Sequence, residues 1–94
     1  MLKKAPPFRL CLFPGYRWCG PGCSGPGAPV NEVDACCMRH DICLQKGYHH
    51  CYCDRQFMKC LDHYRTPMTP SGRHANLMYQ FMKVKTALTC GPNR

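Results

Sequence analysis

The sequence predicts an all-α, disulfide-rich small domain. Two antiparallel, crosslinked helices follow a glycine-rich N-terminal loop, and a third helix closes the chain. Three observations carry this prediction. Ten Cys among 94 residues exceed one in ten, a density typical of disulfide scaffolds in oxidising compartments. Cys36 and Cys43, then Cys53 and Cys60, repeat one seven-residue spacing, two helical turns on one face. Leu77, Phe81, Val84 and Leu88 recur at intervals of three and four. The length allows one domain, residues 1–94, with one small core.

Residues 1–31 read as loop, with "PP", "FPGY" and "GPGCSGPGAP". Asn31 is placed to cap a helix over residues 32–46 whose first turn holds Glu32 and Asp34, both favourable to the helix dipole. Gly47 ends it. The turn "KGYHH" leads to a second helix over 51–64, and Pro67 and Pro70 end that region. Ser71 is the candidate cap of a third helix over 71–90, closed by Gly91 and Pro92. "VKTAL" would suit a strand in another context. The short interval between the first two helices leaves no room for a β-hairpin between them.

Thirteen Lys and Arg against five Asp and Glu give a formal charge of +8. Such a charge suits a polyanionic partner or simply solubility. No nucleic-acid motif is present, so a membrane surface, anionic by preference, is the expected partner and nucleic acid is not. The start has two lysines but no apolar run long enough for a visible secretory leader. No segment approaches the ~20 apolar residues of a membrane span, so a soluble protein is expected. The spacing says nothing about oligomeric state. A structural zinc protein is the competing reading of so many Cys.

Spacing alone fixes two crosslinks. Helices joined by so short a turn run antiparallel. Cys36 then pairs with Cys60 and Cys43 with Cys53, both pairs centred on one point of the connecting turn. His40 shares the face of Cys36 and Cys43. It falls opposite position 56, about 3 Å along the axis from Asp54 at ~1.5 Å per residue. A His–Asp pair is therefore expected in the helix interface, either catalytic or merely buried and satisfied. Asp41 lies roughly 100° further round the helix, free for another task. The glycine-rich loop 19–27 can fold back beside it, offering carbonyl oxygens. Those donors and one carboxylate suit calcium rather than zinc, unless the loop is only a tight connection.

"WCGPG", then "DACCMRHDIC", then "CYCDRQFMKCL" resembles the secreted phospholipase A2 superfamily, over about residues 16–61. Three separate motifs in order make the likeness specific. The Trp before the first Cys is similar to the bee-venom branch; the small size and the loop are closer to bacterial members and the parvovirus-capsid form. The resemblance implies a calcium-dependent esterase acting on the sn-2 ester of phospholipids. His40 would be the general base, since imidazole is the side chain whose proton affinity lies nearest working pH. Asp54 would orient it, and the Gly20 N–H would stabilise the oxyanion. Asp41 and the carbonyls of Trp18, Gly20 and Gly22 would hold Ca2+. Cys19 would pair with Cys37 and Cys51 with Cys90, leaving Cys11 for Cys23.

The chain also departs from the family. Leu44 stands where many relatives carry a Tyr, so the hydroxyl partner of Asp54 must come from elsewhere, with Tyr79 the first candidate and Tyr64 the second. Cys23 replaces a loop glycine of the pancreatic type. His49, His50, His63 and His74 belong to no motif and are expected in solvent. "FRLCLFPGYRW" is either an interfacial patch or a cover for a small core. Two other functions stand beside the esterase: a non-catalytic basic module binding membrane or protein, and a zinc-held nucleic-acid binder. Joint retention of His40, Asp41, Asp54 and the glycine loop argues against the first.

Overall fold

The computed structural model describes residues 15–20, 23, 25 and 27–91. Three helices make up its regular structure: α1 (Glu32–Gln45), α2 (His50–Tyr64) and α3 (Pro70–Thr89). No strand occurs among the described residues. Asn31 caps α1 by accepting the Asp34 N–H at 2.8 Å. The Gly47 N–H then bonds the Leu44 carbonyl with Gly47 at φ 87°, a left-handed stop that glycine takes without strain.

α2 starts one residue earlier than expected because His49 caps it, its Nδ1 accepting the Cys51 N–H at 3.1 Å. α3 is also displaced by one residue at each end from residues 71–90. Its cap is Thr69, not Ser71: the Thr69 hydroxyl accepts the Gly72 N–H, and Pro70 takes the first helical turn, where no N–H is required.

α1 and α2 are bolted by Cys36–Cys60 and Cys43–Cys53, with Cα separations of 5.7 Å in both. Cys51–Cys90 ties the start of α2 to the end of α3, and Cys19–Cys37 ties the N-terminal loop to α1. Cys11–Cys23 involves Cys11, outside the described residues. Val33, Phe57, Leu61, Ala75 and Met82 gather with Cys19, Cys36 and Cys37 into one core.

α3 turns its small and sulfur-bearing side, Gly72, Ala75 and Met82, inward. Leu77, Phe81, Val84 and Leu88, the residues whose periodicity marks the helix, are 61–81% exposed. Periodicity identifies a stripe but not the direction it faces, and α3 has apolar residues on two sides.

Candidate active site

The two crosslinks set the faces on which α1 and α2 meet, and they bring His40 to Asp54. His40 Nε2 lies 2.7 Å from Asp54 Oδ1. The imidazole also stacks on Phe57, ring centroids 4.5 Å apart and planes 24° from parallel. One nitrogen bound and one face packed fix the ring's orientation. The other nitrogen, Nδ1, has no partner among the described residues. The carboxylate is 2% exposed and the imidazole 18%, so the pair is shielded on one side and reachable on the other.

The second oxygen of Asp54 accepts from Lys85 Nζ, 2.5 Å away on α3. His50 Nδ1 stands 3.8 Å from the same oxygen. Burial pushes the Asp54 carboxyl up, and the hydrogen bonds from Lys85 and His40 more than offset this, holding it below the usual carboxylate range. The tyrosine expected here is elsewhere. Tyr79 lies about 120° round α3 from Lys85, its ring 3.9 Å beneath the Arg65 guanidinium. The Tyr64 hydroxyl donates to Glu32 Oε1 at 3.4 Å. A cation, not a phenol, holds Asp54.

Asp41 faces a different environment. A cavity of about 520 Å³ is lined by Trp18, Gly20, His40 and Asp41 together with Phe57, Leu77, Phe81 and Met82. Burial raises the Asp41 carboxyl above its ordinary value, with nearby His40 pulling the other way. No hydrogen bond or ion pair holds this carboxylate among the described residues. A half-buried, unpaired carboxylate beside the Trp18–Gly20 backbone offers only oxygen donors, and these fit a hard cation such as calcium. The Gly20 carbonyl accepts the Cys23 N–H at 3.1 Å, which leaves one lone pair for such a role. Gly22 lies outside the described residues.

The loop owes its shape to Asp34, read from sequence only as a helix-dipole residue. Its carboxylate is fully buried and accepts the backbone N–H groups of Arg17, Trp18, Cys19 and Val30 at 2.8–3.2 Å. Trp18 Nε1 donates to the Gly27 carbonyl at 3.0 Å, and its indole covers Gly25. A Cβ on Gly25 would meet that ring at 2.5 Å, and the φ of +78° disfavours any side chain.

Two clusters with soft donors also occur: His49–His50–Cys51 and His50–Asp54–Cys90. Cys51 and Cys90 are bonded to each other, so neither offers a thiolate and zinc has no sulfur ligand in either cluster. Of the remaining histidines, His63 is exposed. His74 departs from expectation, its Nδ1 lying 2.9 Å from the Tyr16 hydroxyl in a partly buried contact.

The model of the phospholipase A2-like domain family matches residues 9–85 of this chain, well over half of it. The chain belongs to the phospholipase A2-like domain family. Among curated members, it is 38% identical over 63 residues to phospholipase A2-gamma of Arabidopsis thaliana, covering 64% of this chain and 32% of that protein. It is 34% identical over 70 residues to the phospholipase A2 of Xylocopa aruana, covering 53% and 39%. A basic phospholipase A2, nigroxin A of Micrurus nigrocinctus, is 47% identical over 36 residues, 38% and 29% of the two chains. The chain thus spans roughly a third of the length of these phospholipase A2 relatives. No solved structure matches it.

Proposed function

We propose that this chain is a calcium-dependent phospholipase A2, hydrolysing the sn-2 acyl ester of glycerophospholipids to fatty acid and lysophospholipid. The observation that carries the reading is the oriented His40–Asp54 pair on the wall of an apolar cavity shared with Asp41. Family membership and relatives that bear the phospholipase A2 name support it.

His40, held through Nε2, takes a proton at Nδ1 from the water that attacks the ester carbonyl. Asp54 stabilises the imidazolium that forms, and His40 returns the proton to the departing glycerol oxygen. The Gly20 N–H is the donor assigned to the oxyanion. Calcium, held by Asp41 with the carbonyls of Trp18, Gly20 and Gly22, would supply Lewis-acid polarisation of the ester and a counter-charge for the lipid phosphate.

The substrate is taken from a membrane surface, anionic by preference given the +8 charge. Leu77 and Phe81 line the cavity and continue along α3 into exposed Val84 and Leu88, an apolar strip suited to lipid. The "FRLCLFPGYRW" patch lies mostly outside the described residues. The four disulfides among the described residues fit an oxidising, extracellular setting. No helix among the described residues is long and apolar enough to cross a membrane.

The reading is tested by fatty acid release from vesicles whose phospholipid is labelled at sn-2. Release with calcium and none with chelator is expected. Equal release under both conditions, or from sn-1 alone, contradicts it.

A further inference from the structure

We propose that Lys85 is a positioning residue for the His40–Asp54 pair: its ammonium fixes the second carboxylate oxygen of Asp54 so that the first faces His40. The inference rests on the hydrolytic reading above and assigns part of that machinery to a residue outside every motif.

A carboxylate bound at one oxygen can still rotate about its Cβ–Cγ bond and exchange the oxygen it presents. A buried one with an unpaired second oxygen also carries a desolvation penalty. Asp54 has neither freedom nor orphan atom, because Lys85 Nζ makes a charge-assisted hydrogen bond to Oδ2. The groups facing the carboxylate are His40 from α1, His50 from its own helix α2 and Lys85 from α3. His50 is nearly half exposed and, at 3.8 Å, stands beyond hydrogen-bond reach, so Lys85 is the one that restrains Oδ2.

Lys85 is itself anchored. The Cys51–Cys90 bridge holds the end of α3 to the start of α2, one turn from Asp54. Thr86 rests on Met58 of α2 with its hydroxyl 3.8 Å from the sulfur, and the Thr89 hydroxyl donates to the Lys85 carbonyl at 2.9 Å. The side chain therefore reaches Asp54 from a helix whose position is crosslinked to it. Family relatives are expected to use a phenol hydroxyl for this purpose; here a cation on the third helix takes the place.

The test compares wild type with Lys85→Met, Lys85→Gln and Lys85→Arg by sn-2 hydrolysis and by the proton NMR resonance of the His40 Nε2–H. Circular dichroism checks the fold, and Lys85→Gln, which keeps a donor without charge, stands in if the Met variant fails to fold. Lys85→Met is expected to lose about tenfold to hundredfold in kcat, the range seen when supporting partners of a site are removed, with KM within about twofold. Its Nε2–H resonance is expected to move upfield and broaden, and Lys85→Arg to restore both readouts. An unchanged kcat and an unchanged resonance in folded Lys85→Met overturn the inference. If wild type hydrolyses no phospholipid, the functional reading fails, and the resonance alone decides whether Lys85 positions the pair.

Discussion

Asp34 and Asp54 are both carboxylates with almost no exposure, yet they do different work. Asp34 is surrounded by backbone N–H groups and shapes the loop; Asp54 sits between the His40 imidazole and the Lys85 ammonium and orients the first. Replacing one Asp34 oxygen by an amide nitrogen sets a donor against a donor. Asp34→Asn is expected to lose about 1–3 kcal/mol of stability, read by thermal unfolding, and to weaken the calcium response of Trp18 fluorescence. Asp54 gives a pH prediction. Its folded carboxyl lies below the unfolded value of ~3.9, so the unfolded chain binds the proton more readily. Its stability contribution is present above that value and is lost as pH falls through the lower folded one. Unfolding free energy measured across pH 2–6 should fall less steeply in Asp54→Asn than in wild type. The His40–Asp54 approach was legible because the repeated spacing of four Cys sets one register between α1 and α2. Lys85 and the inward role of Asp34 were not, since each reaches its partner through folding that no local spacing encodes.

At the scale of elements, α1 and α2 could be read with their capping and crosslinks because each signal is local or repeated. α3 was legible as a helix but not in its orientation. Its regular stripe is exposed, while the core receives only Gly72, Ala75 and Met82 from it. Small residues carry little periodic signal, so the packed side was invisible and the exposed apolar side conspicuous. Because Leu77 and Phe81 are 61% and 66% exposed, their loss should hardly affect folding. The double variant Leu77→Ser, Phe81→Ser is expected to keep its melting temperature within a few degrees. Its partition onto anionic vesicles in a sedimentation assay should weaken about tenfold or more, given ~1.5–3 kcal/mol for full burial of each side chain. The Cys51–Cys90 bridge spans 39 residues. Replacing both by Ser should cost about 2–4 kcal/mol by loss of the chain-entropy constraint, seen in denaturant unfolding.

For the whole molecule, two properties meet: a +8 charge and an apolar cavity that opens beside the oriented His–Asp pair. Electrostatic attraction to anionic lipid weakens as salt rises, whereas the apolar strip of α3 is insensitive to such screening. Vesicle binding should therefore fall with salt but retain a residual component. The charge was read directly from the sequence; the cavity was not, because it is bounded by residues from the loop and all three helices. The central claim is that His40 is the base of an esterase. The most direct measurement is sn-2 fatty acid release from anionic vesicles in calcium by wild type and by His40→Gln, with circular dichroism on both. Release by wild type and a loss of at least about 100-fold in a folded His40→Gln is the predicted result. Equal release by the two proteins would contradict it.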